Sequence, residues 1–328
     1  MHILILGAAG MVGRKLTDRL LGDGRLGTRD ITRMTLQDVV APERPAQASI
    51  AIQTVTSDLA EPGQAAALVA HRPDIIFHLA AIVSGEAEAD FDKGYRINLD
   101  GTKQLIDAIR AEGNGYKPRL VFTSSIAVFG APFPDKIGDE FLSTPLTSYG
   151  TQKAICELLI ADYTRKGFLD GIGIRLPTIC VRPGKPNKAA SGFFSNIIRE
   201  PLSGHEAVLP VGDDVMHWHA SPRSAVGFLL HAGTMDTATI GPRRNLSMPG
   251  LAATVGEQIA ALERVAGKGV VARIKREPDP TIIGIVSGWP RNFSTDRAKA
   301  LGFTTAEETF DDIIRIHIED ELGGKFVA

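Results

Sequence analysis

Three polar side chains, Ser125, Tyr149 and Lys153, have the types and spacing needed to move a proton to or from an alcohol. Tyr149 and Lys153 are four residues apart, so they share one face of a helix. A nearby ammonium favours the phenolate of a tyrosine, whose ordinary pKa is about 10. A phenolate beside a serine hydroxyl can take the proton of an alcohol as a hydride leaves its carbon. An ordinary surface pair is the alternative, but of the four tyrosines only Tyr149 has a lysine four residues later.

Three glycines, Gly7, Gly10 and Gly13, follow a short apolar run and precede a helical pattern, with Met11 and Val12 between them. Their G-x-x-G-x-x-G spacing differs from the common G-x-G-x-x-G, but the physical demand is similar. One glycine makes a tight turn, one lets the backbone approach a pyrophosphate, and one lets the helix pack on the strand. Because a helix N-terminus attracts phosphate, the loop predicts a dinucleotide site.

Two aspartates follow the next two predicted strands. Asp38 stands where an acidic residue can accept hydrogen bonds from the adenosine ribose, although it could also be a turn residue before Pro42. No Arg or Lys is adjacent to it, the next along the chain being Arg44, so NAD is expected in preference to NADP. Asp58, followed by Leu59, could reach the adenine or cap a helix, and both alternatives remain open.

The elements that must position these groups alternate between strand and helix over the first 180 residues. The alternation predicts a doubly wound parallel sheet of the α/β class, with helices on both faces. After residue 182, prolines and glycines interrupt the pattern. We therefore predict a dinucleotide-binding domain, 1–182, that carries the Ser, Tyr and Lys, and a smaller, irregular cap, 183–328, whose segments can return to the sheet. The predicted strands are 2–6, 33–39, 50–55, 75–79, 119–124 and 173–180, and the predicted helices of the first domain are 11–21, 64–71, 95–110 and 149–166.

The composition narrows the class of protein. The chain has 328 residues, 44% of them hydrophobic, and a net charge of -2, whereas nucleic-acid binders normally show a basic footprint. No apolar run reaches the 18 or so residues of a membrane span, and the N-terminus has the pattern of a strand rather than a signal peptide. Two cysteines cannot form a disulfide framework. A soluble cytoplasmic enzyme that binds neither nucleic acid nor membrane is expected.

These motifs together resemble the extended short-chain dehydrogenase/reductase family, also called the NAD-dependent epimerase/dehydratase family. The motifs are Gly7, Gly10 and Gly13, His78-Leu79-Ala80-Ala81, Asn98 before Gly101-Thr102, Ser124-Ser125, and Tyr149 with Lys153. The resemblance implies a Rossmann-type fold and NAD as cofactor.

The family pattern also implies a role for each site residue. By resemblance, Ser125 orients the substrate oxygen and Tyr149 is the acid/base. Lys153 holds the nicotinamide ribose and lowers the pKa of Tyr149, and Asn98 supports a proton-relay water. The further cofactor contacts implied are Leu79, Ala80, Ala81, Asn98, Pro177, Thr178 and Ile179.

The sequence departs from the nucleotide-sugar members of the family at the site of their sugar diphosphate. Val215 stands where they carry Arg, Pro222 where they carry Asp, and Thr178 where they often carry Asn. An unpaired buried phosphate is costly, so these changes favour a small substrate without a nucleotide, although Arg223 could partly compensate. A nucleotide-sugar epimerase or dehydratase is the alternative. A regulator that only senses the dinucleotide is a third, although it would need none of Ser125, Tyr149 and Lys153.

Residues 81–88, 177–194 and 217–223 resemble members of the family that oxidise a small sugar acid at its 2-hydroxyl. A carboxylate requires cations, and the candidates are Lys185, Lys188 and Arg223. The candidates for binding the hydroxyls are Ser84, Thr178, Asn187 and Ser191, whose alternative is solvation or turn formation. A ring of His217-Trp218-His219, His217 being our candidate, is expected to touch substrate. No metal is expected, because no Cys, Asp or Glu completes a tetrahedral set at typical spacing.

The helices at 95–110 and 149–166 carry more apolar positions than one buried stripe needs. These positions are Ile97, Leu99, Leu105, Ile106, Ala108 and Ile109 on one helix, and Ala154, Ile155, Leu158, Leu159, Ile160 and Ala161 on the other. A leftover apolar face usually marks an interface, so a homodimer with a four-helix bundle is predicted. Coverage of this face by residues 183–328 is the alternative.

Overall fold

A computed structural model describes residues 1–46, 48, 50–184 and 190–328. Its strands are β1 (His2–Leu6), β2 (Arg25–Leu26), β3 (Arg29–Asp30), β4 (Arg33–Asp38), β5 (Ala51–Thr56), β6 (Ile75–His78), β7 (Arg119–Ser125), β8 (Asp170–Leu176), β9 (Thr178–Ile179), β10 (Ala207–Leu209), β11 (Met216–Ala220), β12 (Asn245–Ser247), β13 (Leu251–Thr254) and β14 (Ile274–Arg276). Its α-helices are α1 (Met11–Asp23), α2 (Gln64–Val69), α3 (Ser84–Ala89), α4 (Phe91–Gly94), α5 (Gly101–Glu112), α6 (Ser148–Arg165), α7 (Gly192–Leu202), α8 (Pro222–Thr234), α9 (Val255–Ala266), α10 (Lys268–Val271), α11 (Pro280–Ser287), α12 (Asp296–Ala300) and α13 (Phe310–Leu322).

A parallel sheet of seven strands, in the order β12-β8-β7-β6-β1-β4-β5, forms the centre of the described structure. Strand β1 lies between β4 and β6, so that Ile5 is opposite both Leu36 and Phe77. The winding direction reverses at β1, and open α/β sheets bind ligands at the carboxyl edge beside such a reversal. The doubly wound, Rossmann-type sheet predicted from the sequence is confirmed.

The sheet is covered on both faces because its inner strands are apolar on both sides. In β1, Ile3 and Ile5 pack into the core on one face, and Leu4 and Leu6 into the core on the other. The first core includes Leu16 and Leu20 of α1 with Phe228 and Leu229 of α8. The second includes Leu68 of α2, Leu105 of α5 and Cys156 of α6. Near-continuous apolar strands of this kind are typical of buried parallel sheets.

The chain after residue 182 contributes to the sheet as well as to the cap. Strand β12 extends the sheet beside β8, and α8 covers one face. The other segments enclose a further core, which includes Phe194, Leu209, Leu262 and Ile313. Within the described ranges, no helix is both long enough and apolar enough to cross a bilayer.

Two predicted elements differ from those observed. The predicted strand 173–180 is divided, since β8 ends at Leu176 and β9 resumes at Thr178 beside β11. Pro177 separates them, because proline has no N–H to donate to a sheet ladder. The predicted helix 95–110 is interrupted by a π-helical turn, Tyr95–Asp100, which precedes α5.

The homodimer stays a prediction, and the exposed apolar surface of α6 provides its test. Helices α5 and α6 contact each other, and on α6 the side chain of Leu158 is 73% exposed. We expect light scattering at micromolar concentration to report a dimer, and Leu158→Glu to shift it towards monomer because a charge would be buried in the interface. Leu142→Glu is the matched control, since Leu142 is 76% exposed outside these helices. A monomeric wild-type protein would contradict the prediction.

Candidate active site

The glycine loop lies between β1 and α1, and two of its glycines are required by close packing. Gly7 has a φ of 85°, and a Cβ there would lie 2.7 Å from the backbone nitrogen of Ala80. A Cβ at Gly13 would overlap the carbonyl oxygen of Gly7 and lie 2.8 Å from the Cα of Ala8. Gly10, at the N-cap of α1, is exposed and lines the cavity described below. The first and third glycines therefore shape the loop, and the second leaves its surface open.

The start of α1 has the chemistry that a pyrophosphate needs. Within the described residues, no side chain caps this helix, and its first turn contains no acidic residue. The first N–H groups of a helix have no intrahelical partner, and the helix dipole favours an anion beside them. Met11 and Val12, in this first turn, line the cavity together with Gly13. These residues fit the phosphates of a nicotinamide dinucleotide.

Asp38, the last residue of β4, lies directly against the glycine loop. Its carboxylate accepts a hydrogen bond of 2.9 Å from the backbone N–H of Ala9 and one of 3.3 Å from that of Val40. The bond to Val40 fits the turn role considered from the sequence. The bond to Ala9 places the carboxylate beside the glycine loop. The ribose contact stays a prediction.

A double substitution tests whether Asp38 selects the cofactor. Asp38→Ala with Val39→Arg removes a carboxylate that would repel a 2′-phosphate and adds a cation, at a position where Val39 is 59% exposed. We expect the ratio of kcat/KM for NAD to that for NADP to fall by at least about 10-fold, corresponding to about 1.4 kcal/mol. Asp38→Asn, which keeps an acceptor oxygen and loses only the charge, is the control for the loop. An unchanged ratio in the double variant would make Asp38 a turn residue only.

Asp58 has a local role that differs from the predicted helix cap. The next helix, α2, begins at Gln64 and has Gly63 at its N-cap, so the capping alternative is wrong. Instead, the carboxylate accepts a hydrogen bond of 2.9 Å from the N–H of Ala60 and pairs with Arg96 at 2.8 Å. Asp58 therefore stabilises the turn that follows β5. It lies six residues before the start of α2 and does not cap that helix. Contact of Asp58 or Leu59 with the adenine stays a prediction.

The structure distinguishes between the two serines at the end of β7. The Ser124 hydroxyl donates to Oε1 of Glu157 at 2.5 Å, and both carboxylate oxygens of Glu157 are bound by Arg175, at 2.8 and 2.7 Å. This network occupies Ser124. Both serines line the cavity, but the Oγ of Ser125 only accepts a hydrogen bond from the protein backbone, one of 3.1 Å from the N–H of Ala127, so its own proton is available to Tyr149 or to a substrate oxygen.

Tyr149 and Lys153 lie at the start of α6, and both line the cavity. The helix begins there because the Thr147 side chain accepts a hydrogen bond of 3.1 Å from the N–H of Gly150, which is a common N-cap arrangement. Lys153 is buried and donates from Nζ to the carbonyl of Thr123 at 2.8 Å. Its Nζ lies 5.7 Å from the centre of the Tyr149 ring.

Burial dominates the acid–base properties of both residues. It raises the pKa of Tyr149 to about 12, against the Arg182 guanidinium and the Ser125 hydroxyl, which lower it. It lowers the pKa of Lys153 to about 8, because the charged ammonium loses its hydration. Arg182 is thus a cation that lowers the pKa of Tyr149, and the same effect of Lys153 stays a prediction.

Asn98 is buried in the π-helical turn, and its side chain is fully engaged by the protein. Its Oδ1 accepts a hydrogen bond of 2.9 Å from the N–H of Ile82, and its Nδ2 donates to Oε1 of Gln152 at 2.7 Å. These bonds hold the loop after β6 against α6. Asn98 is a positioning residue in this arrangement, and its role in a proton relay stays a prediction.

One cavity of about 400 Å³ collects most of the predicted residues. Of the cofactor and substrate candidates, those that line it are Gly7, Gly10, Met11, Val12, Gly13, Leu79, Ala81, Ser84, Ser125, Tyr149, Lys153, Pro177, Thr178, Ile179, Ser191 and His217. The candidates outside this lining are Asp38, Asp58, Leu59, Ala80, Asn98 and Arg223. Lys185 and Asn187, with Lys188, fall outside the described residues.

Arg223 is wrong as a carboxylate-binding candidate. It lies at the start of α8, where its Nη2 pairs with Asp320 at 2.5 Å and Glu319 at 3.0 Å on α13. The ion pairs are partly exposed, and Arg223 does not belong to the cavity lining. The charge of Arg223 is thus neutralised by carboxylates of the protein itself.

Arg182 and Trp289 are two of the lining residues that the sequence reasoning missed. Arg182 follows β9 and was passed over although it is a cation a few residues beyond a strand end, which is a usable signal. Trp289 reaches the cavity from the segment after α11, and nothing in its local sequence indicates this.

His217 and His219 form a buried aromatic cluster with Phe194. The His217 ring stacks on the Phe194 ring at 5.2 Å between centroids, and its Nε2 shares a hydrogen bond of 2.7 Å with the Thr178 hydroxyl. Burial lowers the pKa of His217 to about 4, so the ring is neutral at pH 7. Among the residues that the structure covers, no three His, Cys, Asp or Glu side chains are grouped to hold a metal.

Comparison with known proteins gives one family and two kinds of relative. The model of the NAD dependent epimerase/dehydratase family matches residues 3–220. The chain is 45% identical to a D-erythronate dehydrogenase of Cupriavidus necator over 98% of both chains. It is 39% identical to one of Haemophilus influenzae, over 98% of this chain and 100% of the other. A solved structure described as a nucleoside-diphosphate-sugar epimerase of Agrobacterium tumefaciens is 67% identical, with a TM-score of 0.97 over 99% of this chain and 95% of the other.

Proposed function

The chain belongs to the NAD-dependent epimerase/dehydratase family, and we propose that it oxidises D-erythronate at the 2-hydroxyl to 2-dehydro-D-erythronate with NAD. It is an oxidoreductase that uses a nicotinamide dinucleotide. The observation that carries the proposal is one cavity that joins a phosphate-binding loop to Ser125, Tyr149 and Lys153. The similarity to two D-erythronate dehydrogenases over nearly the whole chain supports this choice of substrate.

In this mechanism the protein handles the proton of the alcohol. Bound NAD supplies the acceptor for the hydride that leaves C2. Ser125 donates its free hydroxyl proton to the substrate oxygen and holds it near Tyr149, whose phenolate takes the proton of the 2-hydroxyl. Lys153, which is anchored on the carbonyl of Thr123, would hold the nicotinamide ribose.

NAD is proposed in preference to NADP because of the charge at the end of β4. Asp38 lies against the glycine loop, and within the described ranges it has no ion-pair partner among the cations. A 2′-phosphate on the ribose would meet this carboxylate without a neutralising group.

A nucleotide-sugar epimerase is the second candidate, and the description of the Agrobacterium tumefaciens structure favours it. Two residues of this chain oppose it. Val215, which stands where nucleotide-sugar members carry Arg, packs against the core of the cap and not on the cavity. Thr178, where Asn is frequent, uses its hydroxyl in the bond to His217. The site thus lacks two groups typical of sugar-nucleotide recognition.

An absorbance screen decides between these functions. The purified protein is assayed for NADH formation with aldonic acids of four to six carbons, with NAD and with NADP, and for conversion of UDP-sugars. We expect D-erythronate with NAD to give the highest kcat/KM. Turnover of a UDP-sugar without oxidation of any acid would favour the epimerase, and NAD binding without any turnover would favour a sensor of the dinucleotide.

A further inference from the structure

Among the described residues, the groups that hold the Arg182 side chain in the active-site cavity are neutral. Its Nε donates to the carbonyl of Ile179 at 3.1 Å, and its Nη2 donates to Oγ of Ser191 at 3.2 Å. Its backbone N–H donates to Oγ of Ser195 at 3.0 Å. Ser191 and Ile179 line the same cavity. These bonds fix the guanidinium in place without neutralising it.

Within the described ranges, no carboxylate pairs with Arg182, which is unusual for an arginine that is largely withdrawn from solvent. Other largely buried arginines of the protein are paired: Arg175 with Glu157 at 2.7 Å, Arg199 with Glu200 at 2.5 Å, and Arg244 with Asp170 at 2.6 Å. In the described part of the chain, no carboxylate lies within 4.0 Å of Arg182, and residues 185–189, which follow it, contain no Asp or Glu. A buried cation without a partner is costly, so a site that keeps one is suited to an anionic ligand.

The position of Arg182 relative to Tyr149 indicates which anion. Both residues line the cavity, and the positive charge is near enough to lower the pKa of Tyr149 and of His217. In a 2-hydroxy acid the carboxylate is attached to the carbon that carries the reacting hydroxyl. A cation beside the base can therefore bind the carboxylate while the hydroxyl reaches Tyr149.

We propose that Arg182 binds the carboxylate of a 2-hydroxy-acid substrate, directs its 2-hydroxyl to Tyr149 and thereby selects acids over neutral polyols. This inference rests on the proposed dehydrogenase function. Arginine suits the task because its planar fork matches a carboxylate with two hydrogen bonds. Arg182 replaces Arg223, the candidate chosen from the sequence, because the Arg223 guanidinium forms ion pairs with Glu319 and Asp320 of α13.

The test compares D-erythronate with D-erythronamide, which keeps the hydroxyls and loses the charge. For Arg182→Met we expect kcat/KM with the acid to fall about 10²-fold, as for a truncated partner of a buried charge pair, chiefly through KM. With the amide we expect less than a 3-fold change, and the affinity for NAD alone should be unaltered. Arg182→Lys keeps the charge without the fork and should fall between wild type and Arg182→Met.

Arg223→Met is the matched control, because it removes an arginine that the protein itself neutralises. We expect its kcat/KM for both compounds to equal that of wild type. An equal loss for acid and amide in Arg182→Met would indicate a structural role and overturn the inference. So would an unchanged KM for the acid.

A binding measurement separates failure of this inference from failure of the proposed function. The complex with NADH is titrated calorimetrically with D-erythronate, which requires no turnover. Binding by wild type that weakens about 10²-fold in Arg182→Met would support the carboxylate site even if no acid is oxidised. Absence of binding by wild type, or binding that does not depend on Arg182, would overturn it. Loss of UDP binding instead, in a parallel titration, would assign Arg182 to a diphosphate and also overturn it.

Discussion

Replacing Tyr149 with Phe is expected to lower kcat by about 10²–10⁴-fold, the usual effect of losing acid–base catalysis. The substitution removes only the hydroxyl, and the phosphate loop and Lys153 remain in place. The affinity for NAD, measured by fluorescence titration, should change by less than about 2-fold, because the lost hydroxyl acts in proton transfer. Near-wild-type turnover would remove Tyr149 from the mechanism.

The pH dependence and a matched tyrosine sharpen this test. Burial raises the pKa of Tyr149 to about 12, so the phenolate is the minor form at pH 7 and its fraction grows as the pH rises. The kcat for oxidation should increase between about pH 7 and 10 in wild type and be flat in Tyr149→Phe. Tyr163→Phe is the control on the same helix, because the Tyr163 hydroxyl donates to Asp107 of α5 at 2.5 Å and neither residue belongs to the cavity lining. It should keep both the rate and the pH profile.

Replacing Lys153 with Met is expected to reduce kcat/KM by about 10³-fold or more, because a charged hydrogen bond and catalytic positioning are lost together. Unlike Tyr149→Phe, it should weaken NAD binding as well as slow the reaction. Titration of NAD and steady-state kinetics on the same preparation distinguish the two effects. A variant with wild-type affinity for NAD would contradict the ribose contact.

The same substitution should make the protein more stable at neutral pH. Burial lowers the pKa of Lys153 from 10.5 to about 8, so between these values the unfolded chain binds more protons than the native protein and stability rises with pH. Below about pH 8 the charged ammonium thus destabilises the fold. Removing it should raise the free energy of unfolding by about 2 kcal/mol at pH 7, once the cost of losing the hydrogen bond to Thr123 has been subtracted. Urea unfolding at pH 7 and 10.5 checks this, and the gain should vanish at the higher pH.

The order of strands and helices and the central residues of the site could be predicted, because the patterns that indicate them involve residues close together in the sequence. Apolar runs such as Ile3–Leu6 are buried on both faces of a parallel sheet, and alternation with helices leaves few topologies. The glycine loop is defined by adjacent residues, since Gly13 is pressed against the backbone of Gly7 and Ala8. Tyr149 and Lys153 share a face through helix geometry alone. These features need no knowledge of distant contacts.

The sequence by itself determined the doubly wound sheet, the glycine loop and the Ser, Tyr and Lys set, whereas the tertiary structure decided which polar groups are free to act. Arg182 and Arg223 are both cations in loops or at helix ends, but Arg223 meets Glu319 and Asp320 nearly a hundred residues later. Both serines at the end of β7 line the cavity, but the hydroxyl of Ser124 is likewise occupied by Glu157 from α6, whereas that of Ser125 is not. The availability of a charge or a hydroxyl depends on partners brought together by folding, and sequence spacing does not contain that information.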